Sequence, residues 1–242
     1  MSRVAKSYIG LVIASGAAIL LIAAKSWTAV NLWQFVSFLS LVAFASTLKV
    51  RIPKTTSTMS PNFAFLLGAM AVLPLSQVVA LCLAAALVQS IWRPKRSLQL
   101  VKVSFSAATL VVSGAFAFAA SHFVVRSLAG ASSLALILLA GCFYMPANTV
   151  LVSIVMGLAE RHPVKQIFVH CYQAVFPYFI LGIVLTAIVE GALPQTMVWQ
   201  RPLLLAPAMV LVYAYFFLRT NHLQRQDSRA SEREHELVGA SS

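Results

Sequence analysis

Eight apolar windows hold none of the charges in the body of this chain. Between Tyr8 and Leu218 there are 14 charged residues: Lys25, Lys49, Arg51, Lys54, Arg93, Lys95, Arg96, Lys102, Arg126, Glu160, Arg161, Lys165, Glu190 and Arg201. All lie outside windows 8–24, 31–48, 59–73, 76–92, 103–124, 132–158, 167–189 and 203–218. About 20 apolar residues in helical form cross the hydrocarbon of a bilayer. Apolar residues make up 60% of the chain and charged residues 10%, against roughly 25% charged in soluble domains. So few charges cannot cover a water-facing surface, which excludes a soluble enzyme, a disordered chain and a disulfide scaffold. The expected fold is all-α: a polytopic transmembrane bundle of about eight spans filling residues 1–219, with a polar cytoplasmic tail over 220–242.

The 18 basic and 6 acidic residues give a net charge of +12. In a membrane protein such an excess first reports orientation, because Lys and Arg collect in cytoplasmic loops. With eight crossings and both ends inside, 15 of the 18 basic residues face the cytoplasm. Only Lys25, Arg126 and Arg201 face outward. The expected topology is therefore N-in/C-in, and no nucleic-acid partner is expected. Trp27, Trp33, Trp92 and Trp199 lie at window ends, where amphipathic rings favour the membrane interface.

The third window is short. Its 15 residues give about 22 Å of helix, less than the roughly 30 Å core. Pro74-Leu75-Ser76-Gln77 then turns the chain, with Ser76 as the expected N-cap of the fourth helix. The third and fourth windows read as full spans or as a short hairpin that stops inside the membrane. Arg3 and Lys6 ahead of an apolar run look signal-like, but the length of that run predicts an uncleaved first helix. Small residues at Gly10, Ala14 and Ala18 permit a close helix approach. Leu223, Ala230 and Leu237 are seven apart, too few repeats for a coiled coil; the spacing allows a helix that continues the last window or pairs with a partner, and the tail alone is expected to be disordered.

No Asp or Glu falls inside a window, which removes paired-carboxylate catalysis and the usual proton-coupling groups. No P-loop and no metal-spaced His/Cys cluster is present, so no cofactor, metal or catalytic residue is expected. Cys82, Cys142 and Cys171 form no CxxC and are expected to pack as small apolar groups.

Polar residues concentrate in the cytoplasmic halves of the windows: Asn62, Gln89, Ser106, Asn148, Thr149, His170 and Gln173. They define either a ligand pocket open to the cytoplasm or ordinary interhelical hydrogen bonds. Pro146 and Pro177 each free a carbonyl one turn upstream, which a neighbouring polar group must satisfy. The loop from Lys49 to Pro61 carries Lys49, Arg51 and Lys54 and five hydroxyls into the start of the third window. Helix N-termini favour anions. With Arg93, Lys95 and Arg96 on the same side, these cations form a candidate site for phosphate or anionic lipid, or serve orientation alone.

Several motifs, in order, resemble the multi-span membrane region found before HD-GYP cyclic-dinucleotide phosphodiesterase domains, and sometimes other signalling domains, in bacteria. They are Leu48-Lys-Val-Arg-Ile-Pro53, Thr58-Met-Ser-Pro-Asn-Phe63, Ala86-Leu-Val-Gln-Ser-Ile-Trp92, Asn148-Thr149, Cys171-Tyr172 with Phe176-Pro-Tyr178, and a Tyr-rich last window leading to Arg219. The resemblance covers about 9–225. It differs at Lys54-Thr-Thr-Ser57, at Val72 and Gln77 where the family carries acidic residues, and at Phe105-Ser106. The sequence ends where the linker to an output domain would begin. The resemblance thus implies anchoring and sensing, and no phosphodiesterase activity.

The expected function is a sensory or anchoring module of a bacterial inner membrane. It would bind a small or lipid-like ligand and signal to a cytoplasmic protein, among anionic lipids and with scope for a homo-oligomer. The alternative is a facilitative transporter of a small neutral or anionic solute, with the short hairpin and the proline-broken helices around a central site.

Overall fold

The computed structural model describes residues 3–28, 32–51, 58–92, 99–128, 132–160, 163–192, 203–207, 209–215 and 217–218. These segments are helical apart from short connections at the helix ends and one pairing of two residues with two. The helices are α1 (Arg3–Lys25), α2 (Leu32–Thr47), α3 (Asn62–Val72), α4 (Leu75–Ile91), α5 (Leu100–Ser127), α6 (Ser133–Glu160) and α7 (Val164–Ala192). A further apolar helical stretch covers Leu203–Tyr215. Each apolar window therefore contains a helix. Among the described residues three helices, α1, α5 and α6, are long and apolar enough to cross a membrane.

α3 is shorter than its window because the chain ahead of it does something else. Val50–Arg51 (β1) pairs antiparallel with Thr58–Met59 (β2), Val50 opposite Met59 and Arg51 opposite Thr58. Pro61 then becomes the N-cap, and the helix starts at Asn62. Its 11 residues span about 16 Å. Every residue from Ser60 to Met70 is buried. A helix apolar on all faces belongs at the centre of a bundle, and α3 packs on α2, α4, α6 and α7.

Leu73 and Pro74 turn α3 into α4. Pro74, not Ser76, is the N-cap of α4, and its carbonyl accepts from the N–H groups of Gln77 and Val78. Proline suits this position because it has no N–H to leave unpaired and its φ is already near the helical value. Ser76 is buried in the first turn instead. The hairpin tip meets the α1–α2 connection, where the Gln77 side-chain amide donates to the Thr28 carbonyl at 3.0 Å.

Glycines set the closest helix approaches. A Cβ on Gly16 would sit 2.7 Å from Ala108, on Gly114 2.5 Å from the Cys82 sulfur, and on Gly141 2.5 Å from Ile183; on Gly182 it would overlap the Phe63 ring. These positions join α1 to α5, α5 to α4, α6 to α7 and α7 to α3. The expected stripe of Gly10, Ala14 and Ala18 is not among them. All three are exposed, and α1 packs through Ala5, Ile9, Val12, Gly16 and Ala23.

Candidate functional site

Contacts between helices show which helix ends lie together. Tyr8 of α1 meets Phe105 of α5 at 6.4 Å and donates to the Leu151 carbonyl of α6 at 3.1 Å. Further along, Phe116 of α5 meets Phe143 of α6, so these two helices run antiparallel. Asn62, opening α3, donates to Ser46 near the end of α2 at 3.0 Å. Lys49 donates to the carbonyl of Trp92, the C-cap residue of α4, at 2.6 Å. Phe63 packs on Tyr178 and Phe179, and Thr186 reaches the Ala64 carbonyl. α3 and α7 are therefore parallel.

One end of the bundle thus gathers the starts of α1, α5 and α7 and the ends of α4 and α6, while α3 begins and α2 ends deeper in the bundle, level with Tyr178 in the middle of α7. Arg3, Lys6, Lys102 and Lys165 are exposed at this end, and Lys49 is half-buried there. Lys25 and Arg126 are exposed at the other. The helices sort the cations that the sequence placed in alternate loops. Trp92 lies at the basic end, and Trp27 and Trp33 lie at the opposite one, all three exposed.

The Lys49–Trp92 bond joins the two basic stretches of the sequence, since Arg93 follows Trp92 directly. Positive charge at a helix C-terminus is favourable, so Lys49 also caps α4. Lys54, Arg93, Lys95 and Arg96 lie outside the described residues, as does the side chain of Arg51.

The seven residues of the expected pocket have separate fates. Asn62 is buried and bonded to Ser46. Thr149 is buried and donates to the Met145 carbonyl of its own helix at 2.8 Å. Asn148 is half-buried, with its side-chain oxygen enclosed and unpartnered. Gln89 is half-buried, while Ser106 and Gln173 are exposed. The side chain of His170 lies outside the described residues. Among the described members, only Asn62 bonds to a side chain of another helix.

Other buried polar groups lie outside the expected pocket, Ser153 beside Asn148 and Thr149 in the sixth window and Ser60 among the five loop hydroxyls. Thr109 and Ser113 of α5, Ser153 of α6 and Ser60 ahead of α3 have enclosed hydroxyls without a partner. Elsewhere hydroxyls on the helices turn back onto their own carbonyls, as in Ser37, Ser40, Ser121, Thr149 and Thr186. Glu190, outside the seventh window, is inside α7 and buried. His122, inside the fifth window, is half-buried, bonds to the Phe118 carbonyl at 2.9 Å and stacks on the Phe118 ring. The signal for Ser60 was its place beside Pro61 at a helix start; nothing in a single sequence marks Thr109 or Ser113 as inward-facing.

Among the described residues no three His, Cys, Asp or Glu side chains gather as metal ligands. Cys82 packs into the core against Gly114, whereas Cys142 is exposed on α6. Comparison with protein families, characterised proteins and solved structures finds no match.

Proposed function

We propose that this chain is a membrane-embedded sensory or anchoring module with about eight spans, N-in/C-in, in a bacterial inner membrane. Its basic end faces the cytoplasm and the anionic headgroups there. The gathering of Arg3, Lys6, Lys49, Lys102 and Lys165 at one end of the bundle carries this reading, because cytoplasmic ends of membrane helices collect cations. Basic residues beside spans also attract anionic lipid.

Sensing adds a route for a signal. Phe63 opens α3 beside Asn62 and packs on Tyr178 and Phe179, directly after Pro177 in α7. A ligand at the start of α3 would bear on α7 at its proline, a site where helices bend. The change would pass through the last helix and tail to a cytoplasmic protein.

Reporter fusions after residues 97, 129 and 219 test orientation. A cytoplasmic reporter should be active at 97 and 219, and a periplasmic one at 129; the reverse pattern overturns the reading. Reconstituted vesicles test sensing against transport. A sensor shows no uptake from a panel of small neutral and anionic solutes, and saturable uptake would favour the transporter.

A further inference from the structure

We infer that the buried start of α3 is an anion site built from Ser46, Ser60 and Asn62, which takes a phosphoryl group. The group belongs to an anionic lipid headgroup or to free phosphate. This rests on the reading of the basic end as the side that meets anionic groups, towards which the N-terminus of α3 points from deeper in the bundle.

The argument begins with the helix itself. The first N–H groups of any α-helix have no partner within it, and they carry a partial positive charge. α3 has Pro61 as its N-cap, with no side-chain cap bond. A surface helix would hand these donors to water. Here Asn62, Phe63, Ala64 and Phe65 are all buried.

A second observation is independent of the helix. Ser60, immediately before the N-cap, is only 6% exposed, and its hydroxyl has no partner. No helical turn precedes it, so it has no carbonyl of its own helix to bond in the way Thr149 and Thr186 do. Its hydroxyl is enclosed at the mouth of α3. Burying a polar group without a bond is costly, and a ligand there recovers that cost.

The chemistry of the mouth selects an anion. The Asn62 amide donates to the Ser46 oxygen, which leaves the Ser46 hydroxyl hydrogen as a further donor. The Ser60 hydroxyl and the first-turn N–H groups are donors too. Lys49, three residues beyond Ser46, adds positive charge while it holds the Trp92 carbonyl. Among the described side chains the only carboxylate is Glu190, and α7 carries it to the opposite end. Donors exceed acceptors, and phosphoryl oxygens supply what is missing.

The test uses the full chain in neutral detergent, with Ser60→Ala, Ser60→Asp and Ser46→Ala variants. One arm titrates inorganic phosphate. The other titrates phosphatidylglycerol against phosphatidylcholine in mixed micelles. The thermal midpoint of wild type should rise with one of the two anionic probes and not with zwitterionic phosphatidylcholine, whose choline cation cancels the charge of its phosphate. Ser60→Ala should bind about tenfold more weakly, the cost of one bond to a charged group. Ser60→Asp should raise the midpoint without ligand and abolish the response, because its carboxylate fills the mouth. A response to phosphate identifies the free ion; one to phosphatidylglycerol alone identifies the headgroup. No response from wild type, or full responses from the Ser60 variants, overturns the inference. A phosphatidylglycerol response that survives in both Ser60 variants removes this site and leaves the basic end as a lipid-facing surface. If Ser60→Asp does not fold, Ser60→Ala and Ser46→Ala decide the matter.

Discussion

The ammonium of Lys49 stands 2.6 Å from the carbonyl oxygen of Trp92, and this bond ties two loops that are 43 residues apart in sequence. It closes the basic end of the bundle by holding the α2–β1 connection against the C-terminus of α4. A cation at a helix C-terminus contributes about 0.3–1 kcal/mol. Lys49→Met should therefore lower the thermal midpoint of the detergent-solubilised protein by about 1–4 °C, on the usual scaling for a chain of this size. Lys49→Arg keeps the charge and should recover most of the loss. Equal midpoints for Lys49→Met and wild type would show that the bond adds nothing to stability.

Gly182 and Gly10 should respond to alanine in opposite ways. A Cβ on Gly182 collides with the Phe63 ring, and that ring is fixed by Tyr178 and Phe179. Overpacking of this kind costs about 1–3 kcal/mol. Nothing lies within 4 Å of a Cβ on Gly10, and alanine is favoured over glycine in a helix by up to about 1 kcal/mol. Denaturation in mixed micelles should place Gly182→Ala below wild type and Gly10→Ala at or above it. The reverse order would mean that α1, not α7, makes the tight contact.

These two glycines show where sequence reading reached its limit. Charge-free windows located the helices, because the middle of a helix in an apolar setting excludes charge; the helices run past the windows and carry charges near their ends, Glu190 of α7 among them. They did not locate contacts, since a small residue permits close packing without requiring it. Gly10, Ala14 and Ala18 had the right spacing and face outward, whereas Gly16 makes the contact with Ala108. The same ambiguity scattered the expected pocket. Thr149 bonds its own helix, and Ser106 and Gln173 are exposed. Asn62 kept a partner across helices because it begins a helix, where a side chain has no preceding turn to bond.

The Asn62–Ser46 bond is a test of how far buried polar pairs hold this bundle together. Interhelical hydrogen bonds among membrane helices average about 0.6 kcal/mol. A double-mutant cycle with Asn62→Ala and Ser46→Ala should give a coupling of about that size. A coupling near zero would mean that both groups find other partners when one is removed.

The two described cysteines should separate by reactivity, and the comparison reads the packing of α4 and α6 directly. Cys82 is fully buried, with Gly114 of α5 against it. Cys142 is exposed on α6, one of three helices among the described residues that are long and apolar enough to span a membrane. In a Cys171→Ser background, a small membrane-permeant maleimide should modify Cys142 in the native detergent-solubilised protein. Cys82 should react only after denaturation, because the reagent cannot reach a sulfur that has no open side. Gly114→Ala pushes a methyl group to within 2.5 Å of that sulfur, so it should loosen α4 from α5 and make Cys82 reactive under native conditions. Mass spectrometry after a timed pulse separates the two sites. Native labelling of Cys82 in the parent protein would show that α4 and α5 part readily in solution, and an unchanged Cys82 in Gly114→Ala would show that the contact yields without opening.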